Sequence, residues 1–179
     1  MKILILIEKI RDKLLSIYRR ELIKEKINSP HKKFKILGKV YIMNRNVTLG
    51  KNVTIYPGVT IFGDGPIYIG ENTKIGNNTV IYASKGGGVT IGSNVAIAAS
   101  CYIIDADHGL KKGLPVSKQE MHISPIIIRD NVWLAAHVVV LKGSIINNGA
   151  VVGAMSLVNN ELPAESINVG IPSKLLKYK

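Results

Sequence analysis

The chain has 179 residues, of which 46% are hydrophobic and 6% aromatic, and 17 of them are glycine. This composition is enough to bury a sizeable aliphatic core in one domain with many turns. The formal net charge of +12 favours anionic partners, but no zinc-finger spacing, aromatic RNA-binding motif or basic zipper accompanies it, so nucleic acid is not an expected partner.

The first segment, residues 1–35, is predicted to be a basic amphipathic helix and its linker. Apolar residues recur at spacings of three and four from Lys2 to about Ile27. The longest apolar run is far shorter than the roughly 20 residues that a membrane-spanning helix needs. The helix either caps the open end of the region that follows, which we favour, or makes a peripheral membrane contact through residues 1–27.

The expected compartment is the cytoplasm, with the inner face of the membrane as the place of any lipid contact. Cys101 is the single cysteine and cannot form an intramolecular disulfide. Met1 is not followed by a secretory signal with a small-residue cleavage site. Cys101 lies within the repeats without an evident neighbouring base, so we expect an unreactive thiol that is buried or half-buried.

A repeat of six residues dominates residues 36–170, where an aliphatic residue returns at every sixth position. Each hexad must supply one short strand and one corner, and three hexads close one triangular coil. The sequence therefore predicts an all-β solenoid, a parallel β-helix. The aliphatic positions fall in four registers: Leu37, Met43, Leu49, Ile55 and Ile61; Ile69, Ile75 and Ile81; Ile91, Ile97 and Ile103; Ile128, Leu134, Val140, Ile146, Val152 and Val158.

The repeats are interrupted three times. The breaks near Pro66 and at residues 86–88 are short and indicate small insertions at corners. The third break, residues 105–125, opens with Asp105-Ala106-Asp107-His108-Gly109 and is too long for a corner. Loops of that size are often functional, so the chemistry is predicted to lie there.

The hexads, the Asp107-His108-Gly109 loop, the block of residues 128–136 and the terminal residues 169–174 together resemble the hexapeptide-repeat acyltransferases. The similarity is to the branch that acetylates sugars and polysaccharides, and it covers roughly residues 37–176. It implies a left-handed β-helix and a homotrimer with acetyl-CoA sites between neighbouring subunits. Residues 171–179 are expected to be a basic C-terminal tail.

The resemblance also implies transfer of acetyl from acetyl-CoA to a sugar hydroxyl, and neutral imidazole suits removal of that proton. His108 is therefore predicted to be the general base of a direct transfer, without a covalent acetyl-enzyme. Relatives near the polysaccharide branch often carry a second histidine where this chain has Ala106. Asp105, Asp107 or a backbone carbonyl could orient the His108 ring.

The acetyl-CoA site is assigned by the resemblance alone. Ala136 and Ala154 are expected to line the pantetheine groove, and Asn159 to lie near its adenine end. Lys174 and Lys177 would meet the phosphates, with Lys174 a point charge where relatives often have arginine. Trp133 either walls the pocket near the acetyl group or the acceptor, or is a packing residue.

Several alternatives stay open. A zinc-dependent carbonic anhydrase of the same fold has two histidine ligands five residues apart, a spacing that no pair of His31, His108, His122 and His137 shows, so no metal is expected. A non-catalytic scaffold or binding module and an N-acetyltransferase of an amino sugar are the other candidates. The first choice of acceptor is a sugar or a lipid-linked glycan precursor.

Overall fold

A computed structural model of the chain describes residues 2–25, 27–30 and 33–179. One helix, α1 (Lys2–Lys24), precedes a solenoid whose short strands form three parallel sheets, the faces of a triangular prism. The first face contains β1 (Phe34–Ile36), β4 (Val53–Ile55), β7 (Lys74–Ile75), β10 (Ala96–Ile97), β15 (Trp133–Leu134), β18 (Val151–Val152) and β21 (Ser166–Val169), with β22 (Lys174–Tyr178) added antiparallel at its end.

The other two faces have the same layout. The second face contains β2 (Tyr41–Ile42), β5 (Thr60–Gly63), β8 (Val80–Ala83), β11 (Tyr102–Ile104), β16 (Val139–Val140) and β19 (Leu157–Val158). The third contains β3 (Val47–Leu49), β6 (Ile67–Ile69), β9 (Val89–Ile91), β14 (Ile126–Ile128), β17 (Ile145–Ile146) and β20 (Glu161–Leu162). A hairpin of β12 (Ala106–His108) and β13 (Met121–Ile123) stands apart from all three.

The core is a stack of aliphatic side chains held in register by coil-to-coil hydrogen bonds. Ile55 pairs with Ile75 in the parallel ladder of the first face, and Ile61 pairs with Ile81 in that of the second. Because successive strand residues point to opposite sides, a two-residue strand such as β7 places one residue inside, and a three-residue strand such as β4 places two. Apart from Leu37 and Met43, every aliphatic position predicted from the hexads is buried.

The predicted register of the first coil was wrong. Leu37 and Met43 are 48% and 66% exposed, and Ile36 and Ile42 fill the core in their place. The corner between Ile42 and Leu49 holds one residue more than a hexad allows, and the buried Asn44 side chain bridges it. Its carboxamide oxygen accepts the Asn46 N–H at 2.6 Å, and its nitrogen donates to the Gly65 carbonyl at 2.8 Å.

Variation in coil length is confined to one edge of the prism. Core positions advance by six residues from the first to the second face, as from Ile55 to Ile61, and from the third to the first, as from Ile69 to Ile75. Between the second and third faces the step varies, from Ile81 to Ile91 in one coil and from Ile103 to Ile128 in the next. We call this the loop edge.

Both ends of the prism are covered. The Ser16 hydroxyl of α1 donates to the Ile36 carbonyl at 2.8 Å, and Ile23 and Ile27 join the core cluster. At the other end the residues predicted to be a basic tail contain β22, which pairs with β21. Among the described residues, no helix has the length and apolar content to cross a membrane.

The close approach of the coils predicts a position-dependent cost of adding one methyl group. A Cβ on Gly70 would lie 2.5 Å from the Gly92 backbone carbon, whereas a Cβ on Gly153 would meet the Val169 side chain at 2.7 Å. Backbone cannot rotate away as a side chain can, so Gly70→Ala should lower the free energy of unfolding by about 1–3 kcal/mol. Urea denaturation measures this change in the free energy of unfolding.

Gly153→Ala is the control for this comparison, because the contacted Val169 methyl can shift. Gly153→Ala should lower the free energy of unfolding clearly less than Gly70→Ala does. Equal losses for the two variants would show that the coils can separate slightly at Gly70, contrary to the rigid stacking inferred here.

Candidate active site

Residues 105–125 leave the prism at the loop edge as a hairpin. In the antiparallel pairing of β12 with β13, Asp107 faces His122 and His108 faces Met121. The Ser124 N–H donates to the Asp105 carbonyl at 3.0 Å, which closes the base of the hairpin. The His108 side chain is exposed on this projection.

The Asp105 carboxylate anchors the hairpin to the preceding coil. It is fully buried, and the Ser84 N–H donates to its two oxygens at 2.8 and 3.0 Å. The Gly88 N–H donates to the same group at 2.7 Å. Backbone donors therefore occupy the carboxylate, and it does not contact the His108 ring.

The Asp107 carboxylate links the hairpin to the following coil, where Lys142 Nζ lies 2.9 Å from its Oδ2. Neighbouring residues of a strand point to opposite sides, so Asp107 and His108 face apart. Within the part of the chain that the structure describes, the His108 imidazole has no hydrogen-bond partner. The hairpin is thus held on both sides while its histidine stays open to an incoming molecule.

The hairpin tip has its own internal support. The Gln119 carboxamide oxygen accepts the Lys111 N–H at 2.7 Å, and its nitrogen donates to the carbonyls of Lys111 and Leu114 at 3.1 and 2.9 Å. Together with the 3₁₀ turn Val116–Lys118, these bonds give the tip a defined shape. The sequence carried no signal for this role of Gln119, because a glutamine in a polar loop is unremarkable.

Trp133 lies on the outer surface of the first face and is 52% exposed. Its neighbours in the ladder are Ala96 and Val151, whose small side chains leave the indole ring open. The ring borders a shallow cleft of about 280 Å³ that Tyr56 and Lys74 also line. Trp133 is therefore available to contact a ligand or another chain.

Of the other residues assigned by the resemblance, Asn159 lies at the edge that carries the hairpin, and the rest lie elsewhere on the prism. Ala136 and Ala154 occupy successive coils at the edge between the first and second faces, where the Met155 N–H donates to the Ala136 carbonyl at 2.9 Å. Asn159 is exposed at the loop edge, after β19. Lys174 and Lys177 are exposed on β22.

The structure brings His108 together with neither Ala136 nor Ala154 in one chain, because these residues stand on different edges of the prism. Within one chain the second face of the prism separates the hairpin from this groove. Asp105 and Asp107 are the residues that the structure does place beside His108 in sequence and in the hairpin, and both are bound elsewhere.

Cys101 is a poor candidate for the chemistry. The thiol is buried, and Sγ lies 3.3 Å from the Ala135 carbonyl oxygen, to which it donates. Burial raises the pKa of the Cys101 thiol, with bonds to the backbone at Val138 and His137 acting in the opposite direction. The group therefore stays a neutral thiol near pH 7, as expected from the sequence.

The remaining histidines form no second candidate site within the described part of the chain. His122 and His137 are exposed, and His31 lies outside the described residues. No group of three histidine, cysteine, aspartate or glutamate side chains in the described ranges could hold a metal ion. On the hairpin, His108 and His122 are both exposed, and the resemblance assigns the chemistry to His108.

No protein-family profile matches the chain. Among curated proteins, it is 37% identical over 97 residues to the putative lipopolysaccharide biosynthesis O-acetyl transferase WbbJ of Escherichia coli K12, covering 50% of either chain. It is 35% identical over 89 residues to the galactoside O-acetyltransferase of the same organism, covering 50% of this chain and 43% of that protein. The chain thus spans about half the length of these relatives.

Solved structures share the fold over most of the chain. The N-acyltransferase AntD of Bacillus cereus, bound to dTDP and 3-hydroxybutyryl-CoA, matches with a TM-score of 0.77 and 24% identity over 90% of this chain and 88% of its own. A maltose O-acetyltransferase from Clostridium difficile 630 matches with a TM-score of 0.59 and 22% identity over 89% and 74%. These comparisons confirm the resemblance and the left-handed parallel β-helix.

The two links of the hairpin differ in burial and so predict different costs of neutralisation. Asp105→Asn replaces a buried carboxylate oxygen by an amide donor facing other donors, which should lower the free energy of unfolding by about 2 kcal/mol. Asp107→Asn removes an ion pair whose carboxylate is 45% exposed, so its cost should stay below about 1 kcal/mol. Thermal denaturation of both variants measures the difference. A larger loss in Asp107→Asn would contradict the assignment of Asp105 as the anchor.

Proposed function

We propose that the chain is an acetyltransferase that moves acetyl from acetyl-CoA to a hydroxyl of a sugar or a glycan precursor. The observation that carries the proposal is the hairpin that presents an exposed His108 while Asp105 and Lys142 hold its two sides. The names of the curated relatives and the CoA ligands of the structural neighbours support the same chemistry.

In the proposed mechanism, neutral His108 accepts the proton of the acceptor hydroxyl as the oxygen attacks the thioester carbonyl. The bond from carbonyl carbon to sulfur then breaks, and the imidazolium returns the proton to the CoA thiolate. Acetyl passes directly to the acceptor, and no enzyme side chain is acetylated. Asp105 acts as a positioning residue here, because fixing the hairpin limits the directions that His108 can take.

The proposed acetyl-CoA site lies between two chains of a homotrimer. Ala136 and Ala154 leave space for the pantetheine arm at one edge, and Trp133 borders the reacting end. Asn159 faces the adenine, while Lys174 and Lys177 meet the phosphates as cations. Within one chain this groove is separated from His108, and the separation supports a site shared by two chains. No metal takes part in the proposed reaction.

The acceptor is proposed to be a sugar hydroxyl. The name of WbbJ, with its reference to lipopolysaccharide biosynthesis, supports a glycan precursor. AntD is an N-acyltransferase, and one of its structures contains dTDP-4-amino-4,6-dideoxyglucose and CoA, so an amino sugar is the second candidate. A non-catalytic scaffold or binding module remains the candidate from another functional class. A test of acetyl-CoA binding separates it from the O-acetyltransferase and the N-acetyltransferase.

We further propose that the chain works in the cytoplasm, with residues 1–27 making a peripheral contact at the inner face of the membrane. Eleven basic residues against four acidic ones in residues 1–35 give this segment a net charge of plus seven. Such a segment is attracted to anionic lipid. The contact would bring the site close to lipid-linked acceptors.

The role of His108 can be tested by thiol release from acetyl-CoA over a panel of sugars, nucleotide sugars and amino sugars. His108→Ala should lower acceptor-dependent release about 10²- to 10⁴-fold, the usual contribution of a general base. Binding of CoA, measured by calorimetry, should persist because the groove is untouched. His122→Ala on the same hairpin is the matched control and should keep full activity.

Other results would redirect the assignment. Equal release by wild type and His108→Ala would place the base elsewhere, and activity on amines alone would make the enzyme an N-acetyltransferase. Failure of the wild type to bind CoA would favour the scaffold.

The shared site can be tested with two inactive variants. His108→Ala removes the base, and Ala154→Phe fills the groove, so each homotrimer should be inactive. In a mixed trimer one of the three interfaces joins an intact hairpin to an intact groove, so the isolated mixed trimers should regain about a third of the sites. Coexpression with two different affinity tags isolates the mixed trimers. Absence of any recovery, with both variants folded and trimeric, would place the whole site in one chain.

A further inference from the structure

Ten large apolar side chains of α1 are exposed, and six of them share one side of the helix. Leu6, Ile7, Ile10, Leu14, Ile17 and Tyr18 recur at helical spacing, and each is 42–62% exposed. We call these six residues the outer stripe. Large apolar residues gathered on one exposed face mark an interaction surface, whereas single ones scattered over a surface do not.

The outer stripe faces away from the prism. Ser16 holds α1 to the Ile36 carbonyl, and Ile23, seven residues later on the same side, is buried in the core cluster. Leu14 lies two positions before Ser16, and two positions rotate a helix by about 200°. From Ser16 onward the helix rests on the end of the prism with one side, whereas every described side chain from residue 4 to residue 15 is exposed. The stripe lies on the side opposite Ser16 and Ile23.

The charges of α1 are arranged around this stripe. Lys13 lies between Ile10 and Ile17 in helical spacing and borders one side, and Arg11, four residues after Ile7, borders the other. The acidic residues Glu8 and Asp12 are exposed as well, and Asp12 pairs with Arg11 at 3.1 Å. Glu21 lies past the end of the stripe and pairs with Lys24 at 2.7 Å.

We propose that the outer stripe docks the N-terminal end of the prism on an anionic lipid surface. The proposal deepens the peripheral contact proposed above by assigning it one face of α1, one class of lipid and one orientation of the molecule. The six apolar side chains would enter the boundary between headgroups and acyl chains, with Lys13 and Arg11 at the level of the phosphates.

A second copy of the chain fits this surface less well than lipid does. Two stripes brought face to face would place the bordering Lys13 and Arg11 of one copy near the same cations of the other. Seven basic residues against three acidic ones in Lys2–Lys24 give the helix of each copy a net charge of plus four, so two helices placed face to face would repel each other. Anionic headgroups supply the missing negative charge, and a bilayer also takes up the apolar residues.

The test uses the full chain and vesicles of phosphatidylcholine with about 30% phosphatidylglycerol in a flotation assay at low salt. Wild type should float with these vesicles and much less with pure phosphatidylcholine. Leu14→Glu should weaken binding by about tenfold or more, because a charge enters the centre of the stripe. Leu176→Glu at the opposite end is the matched control, since Leu14 and Leu176 are both 62% exposed; it should bind as wild type does.

Three outcomes would overturn the proposal: no flotation of wild type, equal binding to both vesicle types, or equal loss in the two variants. A change of oligomer mass in Leu14→Glu with vesicle binding intact would assign the stripe to a second copy instead. Circular dichroism must show the same helix content in wild type and variant. Acetylation of a water-soluble acceptor should be unchanged in Leu14→Glu, so that failure of the docking and failure of the transferase assignment remain distinguishable.

Discussion

The hydrogen bonding of each coil to the next is the constraint on which the rest of this structure depends. Gly70 N donates to Ile91 O at 2.8 Å, and Gly92 N donates to Ile128 O at 2.7 Å; similar bonds recur along all three faces. Two edges keep a strict six-residue step, so the chain can change length only at the loop edge. The insertion that carries His108 leaves the prism at this edge, and the ladders of the two faces beside it stay continuous.

The hairpin shows how a long insertion can be held in place by its neighbours in the stack. Asp105 binds backbone donors of the preceding coil, and Lys142 of the following coil binds Asp107. The loop is thus attached to three successive coils, although it belongs to one. Rigid support of this kind suits a group that must meet a reacting hydroxyl within hydrogen-bond distance.

The sequence predicted the solenoid, the long loop and the N-terminal helix, because each is a periodic pattern or a break in one. It missed the first register, since the single inserted residue near Asn44 leaves no mark in an aliphatic pattern. It could not separate a carboxylate that orients His108 from one that binds backbone donors, because Ser84 and Gly88 approach Asp105 only through coil stacking. The ion pair between Lys142 and Asp107 likewise forms only because their coils are stacked. The side of α1 that faces the prism likewise depends on Ser16 and Ile36, which are twenty residues apart.

The place of α1 at the end of the prism has a consequence for how long the molecule stays on a surface. In the proposed threefold assembly the three helices lie at the same end and face the same direction, so they act as one trivalent attachment. After the first helix binds, the other two search at a high effective concentration, and a weak individual contact becomes a long residence time. A single short helix per chain is then sufficient, and dissociation of the subunits would release them from the membrane without any change in the helix itself.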